Sequence, residues 1–295
     1  MTEIFGIPTQ ALLGQLLIGL INGSFYALLS LGLAVIFGLL NIINFTHGAQ
    51  YMMGAFVAWF LLNKAGVGYW WALVIAPIAL GIFGVLIERT MLKQLYKLDH
   101  LYGLLLTFGL ALIIQGLFRN EYGSSGLPYS IPSQLTGGQN LGFMFLPNYR
   151  AWVIVLSLTV CLSTWFVIEK TKLGSYLRAA TENPELVRAF GINVPRLITL
   201  TYGLGVALAA LAGVLAAPIQ QVSPLMGTNL VLVVFAVVVI GGMGSIMGSI
   251  VTGFGLGLVE GLTKVVYPPA SNTVIFVVMA LVLLIKPAGL FGQTK

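Results

Sequence analysis

The amino-acid sequence predicts an all-α polytopic membrane protein with eight or nine transmembrane helices, including glycine-broken or re-entrant segments. Hydrophobic residues make up 58% of its 295 residues and charged residues only 7%, whereas an average soluble domain has about 25% charged residues. No Asp, Glu, Lys or Arg occurs in the ranges 4–63, 197–259 and 265–285. Because about 20 apolar residues cross a bilayer as a helix, each range can hold at least one crossing.

The apolar segments follow one another with short polar or glycine-rich breaks. They are continuously apolar and do not alternate with a period of two, which favours helices over a β-barrel. The predicted spans cover residues 11–31, 33–62 with an interruption at 41–48, 69–87, 101–118, 151–168, 197–217, an apolar block at 229–262 cut at 241–244, and 273–285. The two interruptions fall in opposite halves of the chain, and paired broken segments are typical of a transport path between repeats.

The uneven distribution of lysine and arginine predicts the topology. Ten of the fourteen basic residues fall in 89–99, in 169–196 and near the C-terminus. Because cytoplasmic loops carry the excess of basic residues, these segments are expected in the cytoplasm and the Gly/Pro/Ser-rich segment 119–150 outside. Two crossings before Lys64 would place the N-terminus outside, which we prefer, and three would place it inside. The whole chain, 1–295, is interpreted as a single transmembrane domain.

A short polar segment interrupts the first long apolar stretch. It carries Asn41, Asn44, Thr46 and His47, and polar side chains left unsatisfied in lipid are strongly unfavourable. They must therefore face protein, water or the membrane interface. One interpretation is a simple interfacial loop, and the other is a broken helix that lines a conduit. In the second, Asn22, Asn41, Asn44 and His47 are the candidate pathway groups that would solvate a zwitterionic substrate.

The longest predicted cytoplasmic loop contains a strong signal for a short capped helix. Asn183 is a good N-cap, Pro184 suits the first helical position, and Gly191 suits the stop. Charged residues complement the helix dipole, with acidic residues at its start and a basic residue nearer its end. These residues are Glu182, Glu185 and Arg188. The segment 182–191 is therefore predicted to be a helix of about two turns.

This helix would carry an apolar stripe formed by Leu186, Val187 and Phe190. A two-turn helix is unstable alone in water. The stripe therefore needs a surface to cover it, which is either the ends of the chain's own spans or a partner protein.

Small residues recur at every fourth position on two predicted spans, which favours close helix packing in lipid. They are Gly253, Gly257 and Gly261 on one span, and Gly205, Ala209, Gly213 and Ala217 on the other. A sliding seam between moving helices is the alternative interpretation.

Catalytic motifs are absent from the sequence. No glycine is followed by lysine, so there is no Gly-x-x-x-x-Gly-Lys phosphate loop, and there is no His-Glu-x-x-His metal motif. The single cysteine, Cys161, excludes an internal disulfide or a cysteine metal cluster. Glu260 is interpreted as interfacial and paired with Lys264 at i,i+4. The sequence thus predicts no enzyme, no metal or cofactor site and no nucleic-acid binding, but a passive conduit or one part of an energised complex.

Five motifs follow one another between residues 38 and 292. They are GLLNIINFTHG at 38–48 with Tyr51, Met52 and Gly54, ER at 88–89, LRAA at 177–180 with ENP at 182–184 and GI at 191–192, GGMGS at 241–245 with Gly248, and KPAGLFG at 286–292. Together, over nearly the whole chain, they resemble permeases of bacterial high-affinity branched-chain amino acid ABC importers.

The resemblance implies an ABC importer permease fold and a role for the segments left open above. The chain would be one of two homologous permeases in the bacterial inner membrane. Two cytoplasmic ATPases would supply energy, and a periplasmic binding protein would deliver a branched-chain or other neutral amino acid. Segment 119–150 would be a periplasmic loop. Segment 182–191, within the cytoplasmic loop 169–196, would be a coupling helix that inserts into an ATPase groove.

Two alternatives stay open at this stage. Related permeases carry urea or short-chain amides, so the motifs specify the family more closely than the substrate. A stand-alone secondary carrier or channel belongs to a different class. The lack of charged relay residues within the spans argues against a carrier, and the long loop 169–196 argues against a minimal channel.

Overall fold

The structure, a computed structural model, describes residues 3–4, 7–40, 43–96 and 98–292 and is mostly helical. The helices are α1 (Thr9–Leu40), α2 (Thr46–Asn63), α3 (Tyr69–Ile87), α4 (Lys93–Leu95), α5 (His100–Tyr122), α6 (Asn148–Lys170), α7 (Lys172–Glu182), α8 (Pro184–Ala189), α9 (Val194–Gln220), α10 (Thr228–Gly241), α11 (Ile246–Val266) and α12 (Val274–Ile285). The strands are β1 (Glu3–Ile4), β2 (Ile7–Pro8), β3 (Gly138–Asn140) and β4 (Phe145–Pro147), in two antiparallel hairpins. A π-helical segment, Glu88–Leu92, joins α3 to α4.

Six helices in the described part of the chain are long and apolar enough to cross a membrane, by length and composition. They cover Thr9–Gly38, Tyr69–Leu95, His100–Tyr122, Asn148–Lys170, Val194–Gln220 and Ile246–Val266. α10 and α12 are apolar but shorter. The chain is thus helical with several spanning-length helices, as predicted. The count of eight or nine crossings, with re-entrant segments, stays a prediction.

The structure moves the boundary between the first two predicted spans. The sequence predicts separate spans at 11–31 and 33–62, whereas α1 is continuous through Gly32 to Leu40. A single glycine costs a helix only about 1 kcal/mol relative to alanine, so Gly32 does not end it. A Cβ on Gly32 would lie 2.8 Å from the carbonyl oxygen of Gly205, so this glycine serves close helix packing instead.

The chain divides into two compact units. The first consists of Met1–Ser30, Ile131–Cys161 and Val233–Lys295, and the second of Leu31–Ser130 and Leu162–Leu232. Helices α1, α6 and α10 each contribute residues to both units. The interpretation of 1–295 as a single domain stays a prediction.

In the first unit, the beginning of α1 packs closely against α11. A Cβ on Gly253 would lie 2.5 Å from the Cα of Ala27, and one on Gly257 would lie 2.5 Å from the Cα of Gly23. Contacts closer to the C-terminus of α11 are made with residues closer to the N-terminus of α1, so the two helices are antiparallel. The predicted glycine ridge is therefore a helix-packing surface, as expected where small residues let backbones approach.

Two of the five sequence motifs meet in this same unit. The Leu290 amide donates to the carbonyl of Ile240 at 2.7 Å, and the Phe291 amide donates to that of Gly241 at 3.0 Å. Gly242 has a φ of +101°, and a Cβ on Gly289 would lie 2.5 Å from its Cα. The break between α10 and α11 is thus a tight glycine turn held by the C-terminal motif.

The second unit is built around α9, which packs against α2 and α3. The small-residue ridge predicted on α9 is buried in this unit, where Gly213 lies against the backbone of Tyr51 and Gly54 against that of Ala210. Larger buried side chains, among them Leu80 and Tyr202, complete an apolar core. This packing positions both the polar break and the loop that contains α8.

The segment 119–150 is partly ordered by the hairpin of β3 and β4. Gly138 pairs with Pro147 and Asn140 with Phe145. At the turn, Gly142 has a φ of +82°, and its amide donates to Oδ1 of Asn140 at 2.9 Å. The position of this segment on the external, periplasmic side of the membrane stays a prediction.

Candidate functional site

The polar break between α1 and α2 is buried, and its side chains are joined in a hydrogen-bonded chain. Asn44 is 1% exposed, and its Nδ2 donates to Oε1 of Gln50 at 3.3 Å. Nε2 of Gln50 donates to the hydroxyl of Tyr202 on α9 at 3.4 Å. Oδ1 of Asn44 accepts no hydrogen bond from any residue that the structure describes. This burial argues against a solvated interfacial loop.

The first turn of α2 is capped by another helix rather than by its own sequence. Phe45, at the N-cap, makes no side-chain cap, and its amide donates to Oγ1 of Thr107 on α5 at 3.2 Å. Oγ1 of Thr46 donates to the carbonyl of Thr107 at 2.7 Å. A buried helix end without such partners would leave amide groups unsatisfied. Thr107 therefore provides, from α5, hydrogen-bonding partners that the N-cap residue of α2 does not provide.

The structure places the four candidate pathway residues in different settings. Asn44 and His47 are both buried in the break, and the His47 amide donates to the carbonyl of Asn44 at 3.2 Å. Asn22 lies on α1 in the first unit, where its Nδ2 donates to Oε1 of Glu260 at 3.4 Å. Asn41 lies outside the described residues. Asn44 and His47 are the two that share one site.

Glu260 pairs with Lys264 as predicted and is buried within its own chain, and its position at the membrane interface stays a prediction. It is 4% exposed, forms an ion pair with Lys264 one turn later, and accepts a hydrogen bond from the Tyr26 hydroxyl at 2.6 Å. A buried carboxylate is stable only when charge and hydrogen bonds offset its desolvation. The spacing of Glu260 and Lys264 in the sequence predicts the ion pair. The other two donors, Asn22 and Tyr26, lie on α1 and are revealed only by the packing of that helix.

The capped helix predicted at 182–191 is present as α8, Pro184–Ala189. Oδ1 of Asn183 accepts a hydrogen bond from the Leu186 amide at 2.9 Å. Gly191 has a φ of +80°, and its amide donates to the carbonyl of Arg188 at 2.9 Å. A Cβ on Gly191 would meet nothing within 4 Å, so the backbone conformation alone favours glycine there.

The predicted apolar stripe on this helix is covered in part by the chain itself. Val187 is buried and packs with Ala180 and Val194 of its own chain. Leu186 and Phe190 are 54% and 76% exposed, and their i,i+4 spacing puts them on one face. Because residue 187 is turned by about 100° from residue 186, the stripe splits into one anchoring residue and two exposed ones.

The loop 169–196 is ordered from its beginning. A guanidinium nitrogen of Arg178 on α7 donates to the carbonyl of Ile168 at 2.9 Å and lies 3.2 Å from a carboxylate oxygen of Glu169. Gly174 lies against the backbone of Ile168, where a Cβ would not fit. A cation at the last carbonyls of a helix is favourable. α7 is thus held at the end of α6, and α8 follows from a fixed starting point.

Glu88 is a buried residue whose structural importance the sequence does not reveal. Its carboxylate is 1% exposed and accepts hydrogen bonds from the Tyr96 hydroxyl and from Oγ1 of Thr199, both at 2.6 Å. Burial, and then the hydrogen bond and charge of Glu88, raise the pKa of Tyr96, so this hydroxyl stays a donor. The signal available in the sequence is the ER motif at the end of an apolar span. It does not reveal that α9 supplies a donor.

Metal ligands do not cluster in the described part of the chain. Among those residues, no group of three or more His, Cys, Asp or Glu side chains could hold a metal ion. Cys161 is a buried free thiol.

Comparison with known proteins agrees with the motifs. Residues 15–284 match the family described as "Branched-chain amino acid transport system / permease component". The chain is 30% identical to the high-affinity branched-chain amino acid transport system permease protein LivH of Escherichia coli, over 96% of each chain. It is 29% identical to the probable branched-chain amino acid transport permease protein LivH of Methanocaldococcus jannaschii, over 92% of this chain and 90% of that one. It is also 28% identical to the permease protein LivM of Escherichia coli, over 92% of this chain and 68% of that one. The chain therefore belongs to the branched-chain amino acid transport permease family.

Proposed function

We propose that this chain is the transmembrane permease subunit of an ABC importer that moves branched-chain or other neutral amino acids across the bacterial inner membrane. The observation that carries this proposal is the similarity of almost the whole chain to permeases named for branched-chain amino acid transport. Such a subunit is not an enzyme. The urea or amide alternative and the stand-alone carrier or channel are not favoured, because the relatives named above are permeases of branched-chain amino acid systems.

The partners follow from the same proposal. LivH and LivM are both permease proteins of a high-affinity branched-chain amino acid system, and this chain is similar to both. That similarity supports a transporter with a second, homologous permease. Two cytoplasmic ATPases would supply energy, and a periplasmic binding protein would deliver the substrate.

The coupling role of the segment 182–191 is supported by the geometry of α8. Its start is set by Asn183 and its stop by Gly191. Val187 anchors it to its own loop, while Leu186 and Phe190 stay exposed. An exposed pair of large apolar side chains on an anchored, capped helix fits insertion into an ATPase groove. Glu182, Pro184, Glu185 and Arg188 complete the predicted coupling segment.

The substrate assignment is tested by reconstitution. The permease pair, its ATPases and the matched binding protein are placed in proteoliposomes, and uptake of radiolabelled leucine, alanine and urea is compared. ATP-dependent uptake of leucine well above that of urea is expected. Faster urea uptake would transfer the chain to the amide-transporting relatives, and uptake independent of ATP would reject the ABC importer.

The coupling role is tested with the variant Leu186→Ala/Phe190→Ala. Burying each side chain should contribute about 1.5–3 kcal/mol, and 1.4 kcal/mol is a factor of about ten in affinity. ATPase docking, measured by titration of the purified permease pair, should therefore weaken by more than about tenfold.

The matched control is Leu173→Ala/Tyr176→Ala, which removes two exposed side chains from α7 in the same loop. Docking should be unchanged in this control. Equal docking by the α8 variant and the wild type, with normal substrate-stimulated ATP hydrolysis, would reject the coupling role.

The proposed topology is tested by cysteine labelling in a Cys161→Ser background. Ser125 and Ser175 are both exposed, so a cysteine at either position can react with a polar thiol reagent. In intact cells, Ser125→Cys should be labelled from outside and Ser175→Cys should not. The reverse pattern would invert the proposed sides of 119–150 and 169–196.

A further inference from the structure

A cavity of about 720 Å³ lies in the second unit, between the two segments that the proposed topology places in the cytoplasm. Lys93 and Asp99 line it from the segment 89–99, and Arg188 lines it from the segment 169–196. All three residues are exposed, so the cavity opens to solvent. Small-molecule sites in proteins have volumes of about 300–1,000 Å³ and mostly apolar walls. The cavity is therefore large enough for a small ligand that comes from the cytoplasm.

The cavity brings charges of both signs together without pairing them. Two cations, Lys93 and Arg188, and two carboxylates, Glu88 and Asp99, line it. Within the described part of the chain, none of these four side chains forms an ion pair, so opposite charges lie more than 4.0 Å apart. The cavity therefore offers separate positions for a negative and a positive group, which a zwitterion can occupy together and a ligand of one charge cannot.

Asp99 is the carboxylate that a ligand can reach. Its Oδ1 accepts the Leu101 amide at 2.9 Å as the N-cap of α5. An ionised carboxylate has about four acceptor positions on its two oxygens, so the cap leaves positions for an ammonium group. Glu88, by contrast, is 1% exposed and already accepts two hydroxyl hydrogen bonds. The exposed cations Lys93 and Arg188 can both donate charge-assisted hydrogen bonds to a ligand carboxylate.

Apolar side chains form part of the remaining wall. Leu40, Val194 and Ile198 line the cavity together with the charged residues. Val194 is buried, and Leu40 and Ile198 are half-buried. An aliphatic side chain that packs against this wall removes apolar surface from water, which favours binding. The wall therefore favours a ligand with an apolar side chain over one that is polar throughout.

The cavity also contacts the proposed coupling helix. Pro184 and Arg188 line it, and their spacing places them on one face of α8. Leu186 is turned by about 200° from both, so a ligand in the cavity would leave this exposed side chain uncovered. A ligand that bridges Arg188 to Asp99, at the start of α5, would fix α8 relative to α5. Occupation of the cavity would thus restrict movement of the proposed coupling helix.

We propose that this cavity is a regulatory site for a zwitterionic amino acid with an apolar side chain. Its ammonium group would bind Asp99, its carboxylate would bind Lys93 and Arg188, and its side chain would pack against the apolar wall. A ligand stabilises the conformation that binds it, so an amino acid that accumulates in the cytoplasm would hold α8 in place and slow the transport cycle. This inference rests on the proposed import function and topology.

The test measures ATP hydrolysis by the complete transporter in nanodiscs, where both faces are accessible. Hydrolysis is stimulated by saturating leucine-loaded binding protein, and free leucine is then raised to millimolar concentrations. Hydrolysis by the wild type should fall severalfold. In Lys93→Gln/Asp99→Asn, asparagine preserves the N-cap of α5 while one charge of each sign is removed. Because a hydrogen bond to a charged group contributes a factor of about ten or more, the inhibition constant for leucine should rise at least about tenfold.

The matched control is Glu169→Gln/Lys172→Gln, which removes one charge of each sign from exposed residues that do not line the cavity. Its inhibition by leucine should match that of the wild type. Two leucine analogues test the zwitterion on the wild type itself. 4-Methylpentanoate lacks the ammonium group and leucinamide lacks the carboxylate, so each should inhibit at least about tenfold more weakly than leucine.

Three results would overturn the regulatory site while leaving the import function intact. They are stimulated hydrolysis by the wild type that free leucine does not inhibit, equal inhibition of the cavity variant and the wild type, and inhibition by either analogue as strong as that by leucine. If loaded binding protein does not stimulate hydrolysis even without free leucine, the import function itself is rejected, and the regulatory site with it.

Discussion

The polar break at 43–50 and the helix α8 are both short segments of the second unit, and their exposure is the reverse of what their composition suggests. Asn44, His47 and Gln50 are polar and almost completely buried. Leu186 and Phe190 are apolar and largely exposed. The break is held by hydrogen bonds to distant helices, such as that of Gln50 to Tyr202, whereas α8 is held mainly by its own caps.

This difference separates two sources of local structure. In α8, the donor and acceptor of the N-cap are three residues apart, so a short sequence specifies them. In the break, the partner of Thr46 is more than sixty residues away. Changes in the break should therefore affect the stability of the whole unit, and changes in α8 should affect mainly docking of a partner.

The largest effect is expected at a glycine of the break. A Cβ on Gly48 would lie 2.6 Å from the carbonyl oxygen of Gly227, and a backbone atom cannot rotate away. Gly48→Val should therefore destabilise the protein by about 3 kcal/mol, the upper range for overpacking, and lower the recovery of monodisperse protein. Gly109→Val on α5, where a Cβ meets nothing within 4 Å, is the matched control. Similar recovery of both variants would show that the approach at Gly48 is not required.

A smaller effect is expected when the hydrogen-bonded chain of the break is cut. Asn44→Leu leaves Oε1 of Gln50 without its buried donor, and an unsatisfied buried polar atom costs about 1–3 kcal/mol. The melting temperature of the purified protein should fall. If Asn44 is also a pathway group, leucine uptake should fall at temperatures where the variant is still folded. His47→Leu provides the second test, and unchanged uptake in both would remove these residues from the proposed pathway.

In α8, removal of the N-cap should have a more local effect. Asn183→Ala removes the hydrogen bond to the Leu186 amide, which costs about 1 kcal/mol. ATPase docking should weaken by about fivefold, while the melting temperature changes little. Asn183→Ser, which restores a capping oxygen, is the control and should recover most of the affinity. A large loss of melting temperature in Asn183→Ala would contradict the view that α8 is held locally.

The smallest effect is expected at the stop of α8. Gly191 has a positive φ but open space around it. Gly191→Ala should therefore cost about 1 kcal/mol or less, because the strain of a left-handed alanine is partly offset by a less flexible unfolded chain. Docking should change by no more than about fivefold. Gly191→Asn, which tolerates this conformation, should lie closer to the wild type. A loss as large as that of Gly48→Val would indicate an unseen contact at this position.

The sequence predicts helices well where the signal is long and apolar. The span predicted at 69–87 coincides with α3, and those at 101–118 and 151–168 lie inside α5 and α6. The sequence-based prediction is less accurate around Gly32. The sequence pattern alone does not distinguish a glycine inside a helix from a glycine between two helices. What distinguishes them is Gly205, which approaches Gly32 from another part of the chain.

The candidate functional site is predicted only in part, because some of its contacts come from residues far away in the sequence. The caps of α8 lie within ten residues, and the sequence specifies all of them. All three residues of the apolar stripe are hydrophobic, and only the structure shows that Val187 packs against its own chain while Leu186 and Phe190 stay exposed. The settings of Glu88 and Glu260 depend on donors from α9 and α1, which no local pattern reveals.

The sequence by itself determined that this chain is a helical, multi-pass membrane protein, where its glycine breaks fall, and how α8 begins and ends. These features depend on the summed free energy of transferring apolar residues into lipid and on hydrogen bonds between near neighbours in the chain. Only the tertiary structure decided that Asn44 and Glu260 are buried, that Val187 faces inward, and that Arg188 lines a cavity. These features depend on which distant backbones approach closely enough to exclude water and supply hydrogen-bond partners, and residues far apart in sequence decide that together.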